Sequence, residues 1–112
     1  MFGRKRRIYR QGDVLLVEEP APPSQLEMAE RVRGRLVLAE GELTGHAHVV
    51  DDARASLAEV QHELFLLVDD GAPVALRHEE HDELRVAPGM YRVVQQRQLD
   101  SLEGYAPAPV YD

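Results

Sequence analysis

The 112-residue chain predicts an all-β fold, a small single-domain barrel or sandwich of seven or eight short strands. Three observations carry that expectation. The apolar runs are short and rich in Val, Ile and Leu, and they recur about every ten residues. Gly, Pro and paired Asp residues separate them. Only the segment 24–33 breaks the pattern.

Taken in order, "MFGRKRRIYR" forms a basic N-terminal arm over residues 1–10. In "QGDVLLVEEP", Gly12-Asp13 opens a strand, the run Val14 to Val17 is apolar, and Pro20 ends it. The stretch "PAPPSQLEMAERVRG" has a different texture. Pro20, Pro22 and Pro23 make an extended entry, Ser24 is a candidate N-cap, and Glu27 stands three residues on, as a capping box requires. Leu26, Met28, Ala29 and Val32 supply an apolar side, and Gly34 a stop, so a short helix or loop is expected over 24–33.

From Arg35 the pattern is β throughout. "RLVLAEGEL" reads as a strand running to Gly41, "HAHVVDD" as a second and "ASLAEVQHE" as a third. "LFLLVDDGAPVALRHEE" reads as a hairpin, with Leu64 to Val68 and Val74 to His78 joined by a turn at Asp69 to Pro73. The pairs Asp51-Asp52 and Asp69-Asp70 both read as turn residues. In "DELRVAPGMYRVVQQRQ", Leu84 and Val86 alternate, Pro88-Gly89 turns the chain, and Tyr91, Val93 and Val94 follow. A single β domain therefore spans 11–100. The Pro-containing tail 101–112 is expected to lie extended over the surface or to stay disordered.

Composition excludes several functions. No Cys is present, which removes disulfides, thiolate metal sites and cysteine nucleophiles together. Aromatics are 5% of the chain, too few for a surface that stacks bases or sugars. No apolar run approaches the length that spans a bilayer, and no signal-type apolar stretch follows the arm, so a cytoplasmic protein is expected. The arm holds five cations and no acid, so with a net charge of −7 the remaining residues carry −12. An acidic body repels phosphates, and nucleic acid is expected to bind, if at all, only through the arm. Serines 24, 56 and 101 lie outside any nucleophile-elbow context, and no glycine-rich phosphate loop is present.

The chemistry lies in the histidines. In "GELTGHAHVV", His46 and His48 are two apart, so on a strand they project from one face with Cα atoms about 6.5–7 Å apart. Gly41 and the Thr44-Gly45 step let the chain bend and present both rings at a rim. In "RHEEH", His78 and His81 are three apart and would face opposite sides of a continuous strand. They converge only if "HEEH" is a turn, a bulge or a helical turn, and the charges Glu79, Glu80, Asp82 and Glu83 favour a turn. His62 stands apart. Imidazoles meeting at a barrel mouth would suit Zn, Fe, Ni, Mn or Cu. Three with an open position would be catalytic in type, and four would be closed, as would three with a carboxylate such as Glu42 or Glu80. The same residues also fit a solvated polar rim.

Two resemblances follow from these motifs. The HxH pair, in a small β protein with a later Pro-Gly turn, resembles the cupins, whose first motif supplies two His and a following Glu as metal ligands. Here Asp51 and Asp52 stand near the place of that Glu, and His78 and His81 come before Pro88-Gly89 rather than after it. The order "QGDVLLV", "GELTGHAHVV", "RHEEH" is similar to a group of short uncharacterised bacterial and phage-type proteins sharing GDVLL, GE-x-TGHAH and H-x-EH segments. Gln96-Arg97-Gln98-Leu99 replaces that group's Q-R-E-Y-like ending. This resemblance groups the histidines and supplies no reaction.

Two functions compete. The first is a β protein with a histidine-rich polar or divalent-metal site at His46, His48, His78 and His81, where Glu42 or Glu80 acts as base if the site is catalytic. The second is a non-enzymatic binding or assembly module that uses the acidic body and the basic arm. A homo-oligomer is expected in either case, since few aromatics are available to fill the core of one copy, and the arm could meet a protein partner.

Overall fold

The computed structural model describes residues 6–21, 23–40 and 46–96. Eight strands follow one another: β1 (Ile8–Gln11), β2 (Val14–Glu18), β3 (Arg31–Glu40), β4 (Ala47–Val60), β5 (Glu63–Val68), β6 (Val74–His78), β7 (His81–Val86) and β8 (Gly89–Gln95). A 3-10 helix, Ser24–Met28, lies between β2 and β3. The strands form one antiparallel sheet in the order β1-β2-β8-β5-β4-β6-β7, with β3 on the other edge of β4. The sheet curls into a nearly closed barrel, and its end strands β1 and β7 come into contact. The expected all-β class and strand number are found. No described helix is long and apolar enough to cross a membrane.

Alternation places the core. Val14, Leu16, Leu36, Val50, Leu66, Leu76, Val86 and Tyr91 are fully buried inside the barrel. A second cluster of Leu26, Ala58, Val60 and Phe65 sits where the 3-10 helix covers β4 and β5. Tyr91 closes the base of the seam: its hydroxyl donates to Ala87 O at 2.7 Å, while Ala87 N–H donates to the Tyr9 hydroxyl at 3.1 Å. The two rings meet edge to face at 5.6 Å. Burial pushes the Tyr91 phenol above its ordinary range.

Several local expectations are corrected. The chain is already a strand at Ile8 within the basic arm, because Ile8 to Gln11 pair with Val17 to Val14. Arg7 joins this edge through two bonds to the buried Glu18 carboxylate, one from its backbone N–H and one from its guanidinium. The 24–33 segment holds a short 3-10 helix, Ser24–Met28, and then enters β3 at Arg31; the helix N-cap is Pro23, not Ser24, and no side chain caps it. Gly34 does not stop a helix but lies in β3 at φ +104°, where the register with β4 shifts.

"HAHVVDD" and "ASLAEVQHE" are not two strands but one, β4, and Asp51-Asp52 lies inside it. Asp52 is satisfied locally, accepting from the Arg54 backbone N–H and guanidinium, and that pairing holds its carboxyl down to about 2. The expected 64–78 hairpin is also overturned. Both edges of β5 are taken, by β4 and β8, so β6 cannot pair with it. Instead β5 and β6 follow each other along the same edge of β4, with Ala55 opposite Val68 and Val49 opposite Arg77. The Asp69 to Pro73 turn spans the break. Residues 41–45, 97–100 and the tail 101–112 lie outside the described residues, and with them the Gly41 and Thr44-Gly45 bends.

Candidate functional site

Three chain reversals meet at one end of the barrel. The first is the β1–β2 turn at Gly12-Asp13, with Gln11 paired to Val14 across it. Gly12 has φ +59°, as a two-residue hairpin with glycine first requires. The second is the start of β4, where His46 precedes Ala47. The third is the β6–β7 turn, where His78 pairs with His81 across Glu79-Glu80. The turn in "HEEH" therefore exists, and an odd spacing that would split the pair on one strand brings it together across two.

The four histidines of the two motifs converge there. The His78 ring lies 4.3 Å from that of His48, 4.6 Å from that of His81 and 5.8 Å from that of His46, measured between centroids. His48 and His81 are nearly parallel at 6.1 Å. His81 rests over Gly12, where a Cβ would come within 2.5 Å of its Nε2. His62 takes no part. It sits at φ +69° in the β4–β5 turn and lines a separate cleft with Leu64 and Arg92.

Hydrogen bonds fix several of these rings. His48, 3% exposed, has Nδ1 2.8 Å from Gln11 Oε1 and Nε2 3.2 Å from Asp13 Oδ1. Gln11 is itself locked, because its amide donates to Leu76 O and Asp82 O, both at 2.9 Å. This buried side chain thus bridges β1 to β6 and β7 across the barrel seam and aims its carbonyl at His48. His78 Nδ1 accepts from Glu80 N–H at 3.0 Å, so a neutral His78 carries its proton on Nε2. His46 Nδ1 lies 3.4 Å from Glu80 Oε2. Glu79 accepts from Ala47 N–H at 3.2 Å, tying the β6–β7 turn to β4.

The electrostatics follow from burial and neighbours. Burial and the adjacent His78 imidazole push His48 below the ordinary histidine value of 6.5, against the pull of Asp13. Partial burial would raise the Asp13 carboxyl, but its contacts with Gln95 and His48 outweigh it and hold the group below 3.8. Glu79 is likewise lowered, by its own backbone N–H and that of Ala47.

Residues 10–96 match the family described as Domain of unknown function (DUF8820). The chain belongs to that family. The matched span holds both histidine motifs and the Gln11 to Asp13 turn, so the whole described site is part of the family's domain. No curated protein and no solved structure matches the chain.

Of the residues singled out in the sequence, His46, His48, His78 and His81 come together, and Glu80 stands beside them. Glu42 lies outside the described residues. Among the described residues, no three histidine or acidic side chains already stand in a geometry that holds a metal ion. Gln11, Gly12 and Asp13 were not legible as site residues. The sequence marked Gly12-Asp13 as a strand opening, and only barrel closure carries that turn to the histidines. His78 and Glu79 also wall an open cleft of about 280 Å³, shared with Arg35, Ala47, Val49, Asp51 and Arg77.

Proposed function

We propose that this domain is a small β-barrel protein whose histidine-lined mouth takes one divalent transition-metal ion, drawn from Zn, Fe, Ni, Mn and Cu. The observation that supports it is the convergence of "HAH" and "HEEH", some thirty residues apart in sequence, into one cluster of four imidazoles. Without thiolates, a nitrogen and oxygen donor set of this kind suits those ions. His48, its ring held by Gln11, serves as a ligand where it stands, and His46 and His81 join it by rotation about their side-chain bonds. His78 joins only by giving up the Glu80 N–H at its Nδ1. An ion held with an open position would polarise an oxygen or supply hydroxide near neutral pH. Glu80, 58% exposed at the rim, is the base this reading assigns, together with Glu42.

Titration of the purified chain with Zn²⁺, followed by elemental analysis after dialysis, checks the reading. About one ion per chain is expected, and a His46→Ala/His48→Ala variant should retain far less. Wild-type protein that keeps well below one ion per chain after reconstitution would sink it.

One observation favours an assembly role as a second reading. Among the described residues, β3 has only β4 as a partner, and Val32 on that strand is 57% exposed. Two copies pairing through β3 would cover it, giving the homo-oligomer expected from composition.

A further inference from the structure

His48 presents an accounting problem that the convergence of histidines does not solve. A neutral imidazole has one N–H, yet both nitrogens of His48 face oxygen acceptors. The Gln11 amide cannot flip to help, since its NH₂ group is committed to two main-chain carbonyls. The Gln11 contact is buried and the shorter of the two, so the single proton belongs on Nδ1. The Nε2 lone pair then points at the Asp13 carboxylate from 3.2 Å. Two lone pairs facing each other at that distance call for a positive charge between them. A second proton would serve, but it would charge a ring that is almost wholly buried and stacked against two other imidazoles.

We infer that His48 Nε2 and Asp13 Oδ1 are the preset pair of ligands for a divalent metal ion, with Gln11 as the positioning residue that fixes the ring. Two neighbouring ligands of one tetrahedral zinc ion, each at about 2.0–2.2 Å, lie about 3.3–3.6 Å apart, so the pair at 3.2 Å needs only a slight opening to take an ion between them. The Gln11 contact is the outer hydrogen bond that a ligating histidine makes through its other nitrogen. Gln95 plays the matching part for Asp13, donating to Oδ2 at 3.3 Å. His81, exposed and seated over Gly12, is free to swing its ring toward the same point. Asp13 and Gln11 thereby become functional residues that the histidine motifs did not indicate.

The inference rests on the metal-site reading, and the experiment separates their failures. Zn²⁺ affinity is measured by chelator competition for wild type and for the Asp13→Asn, Asp13→Ser, Gln11→Leu and His62→Ala variants. Co²⁺ absorption and ¹⁵N shifts of His48 are recorded alongside. The expected results are a loss of about a hundredfold for both Asp13 variants and about 10–100-fold for Gln11→Leu, with none for His62→Ala. The Co²⁺ bands should move in the Asp13 variants, and Zn²⁺ should shift His48 Nε2 while Nδ1 keeps its proton. A wild type that binds Zn²⁺ with unchanged affinity and spectra in both Asp13 variants overturns the inference and leaves the site reading standing. A wild type that binds no ion overturns both.

Discussion

Gly12 occupies a position that no L side chain fills without cost. Its φ of +59° is unfavourable for any residue with a Cβ, and that Cβ would press into the His81 ring. Gly12→Ala is therefore expected to cost about 1–2 kcal/mol and to push His81 away from His48. Thermal unfolding and the ring proton resonances of His81 check this; an unchanged melting temperature with an unmoved ring contradicts it. Individual residues also show where sequence reading ends. Strand geometry pointed His46 and His48 the same way, and both rings meet His78; the acidic residues in and after "HEEH" favoured the turn found there. The hydrogen bonds from Gln11 to Leu76 and Asp82 join residues 65 and 71 positions apart, and no local pattern encodes them.

At the scale of elements, β4 organises the molecule. It runs for fourteen residues and receives β3 along one edge and β5 and then β6 along the other. Its polar stretch Asp51 to Arg54 looks like a break in sequence, because charged residues and an Asp pair usually mark turns. Here Asp52 and Arg54 satisfy each other and the strand continues. The strand β3 carries the assembly prediction. Among the described residues its other edge has no partner, and the strand carries two register shifts against β4, at Gly34 and Leu38, and the exposed Arg31, Arg33 and Arg35, devices that limit open-ended pairing. A closed pair of copies remains compatible with them. Light scattering is expected to give a dimer mass for wild type and a monomer mass for Val32→Lys; equal masses for the two would remove β3 as the interface.

For the whole molecule, the mouth makes stability depend on pH in a stated direction. In the metal-free chain, His48 titrates below its unfolded value of 6.5 in the folded state, faced by Gln11 from β1, Asp13 from the turn, His78 from β6 and His81 from β7. The unfolded chain then binds the extra proton first, so stability is fully present above pH 6.5 and falls as pH drops below it. Asp13, held below 3.8, adds a second loss as pH falls through its folded value. Melting temperatures between pH 8 and pH 3 should therefore decline in two stages. The first should shrink in His48→Gln, and a melting temperature that rises on acidification through pH 6.5 would contradict the sign.

What the sequence determined by itself is what short-range physics fixes. Alternating apolar residues set an all-β chain of about eight strands, glycine and acidic pairs set most of the reversals, and a spacing of two pointed His46 and His48 the same way. What only the tertiary structure decided is which strands are neighbours. The order β8-β5-β4-β6 assigned the edges of β5 and dissolved a hairpin that looked complete in sequence. Closure of β1 against β7 brought Gln11, Gly12 and Asp13 beneath the histidines. Pairing of strands far apart in the chain depends on total burial and on the number of free edges, and both belong to the assembled barrel, not to any one segment of it.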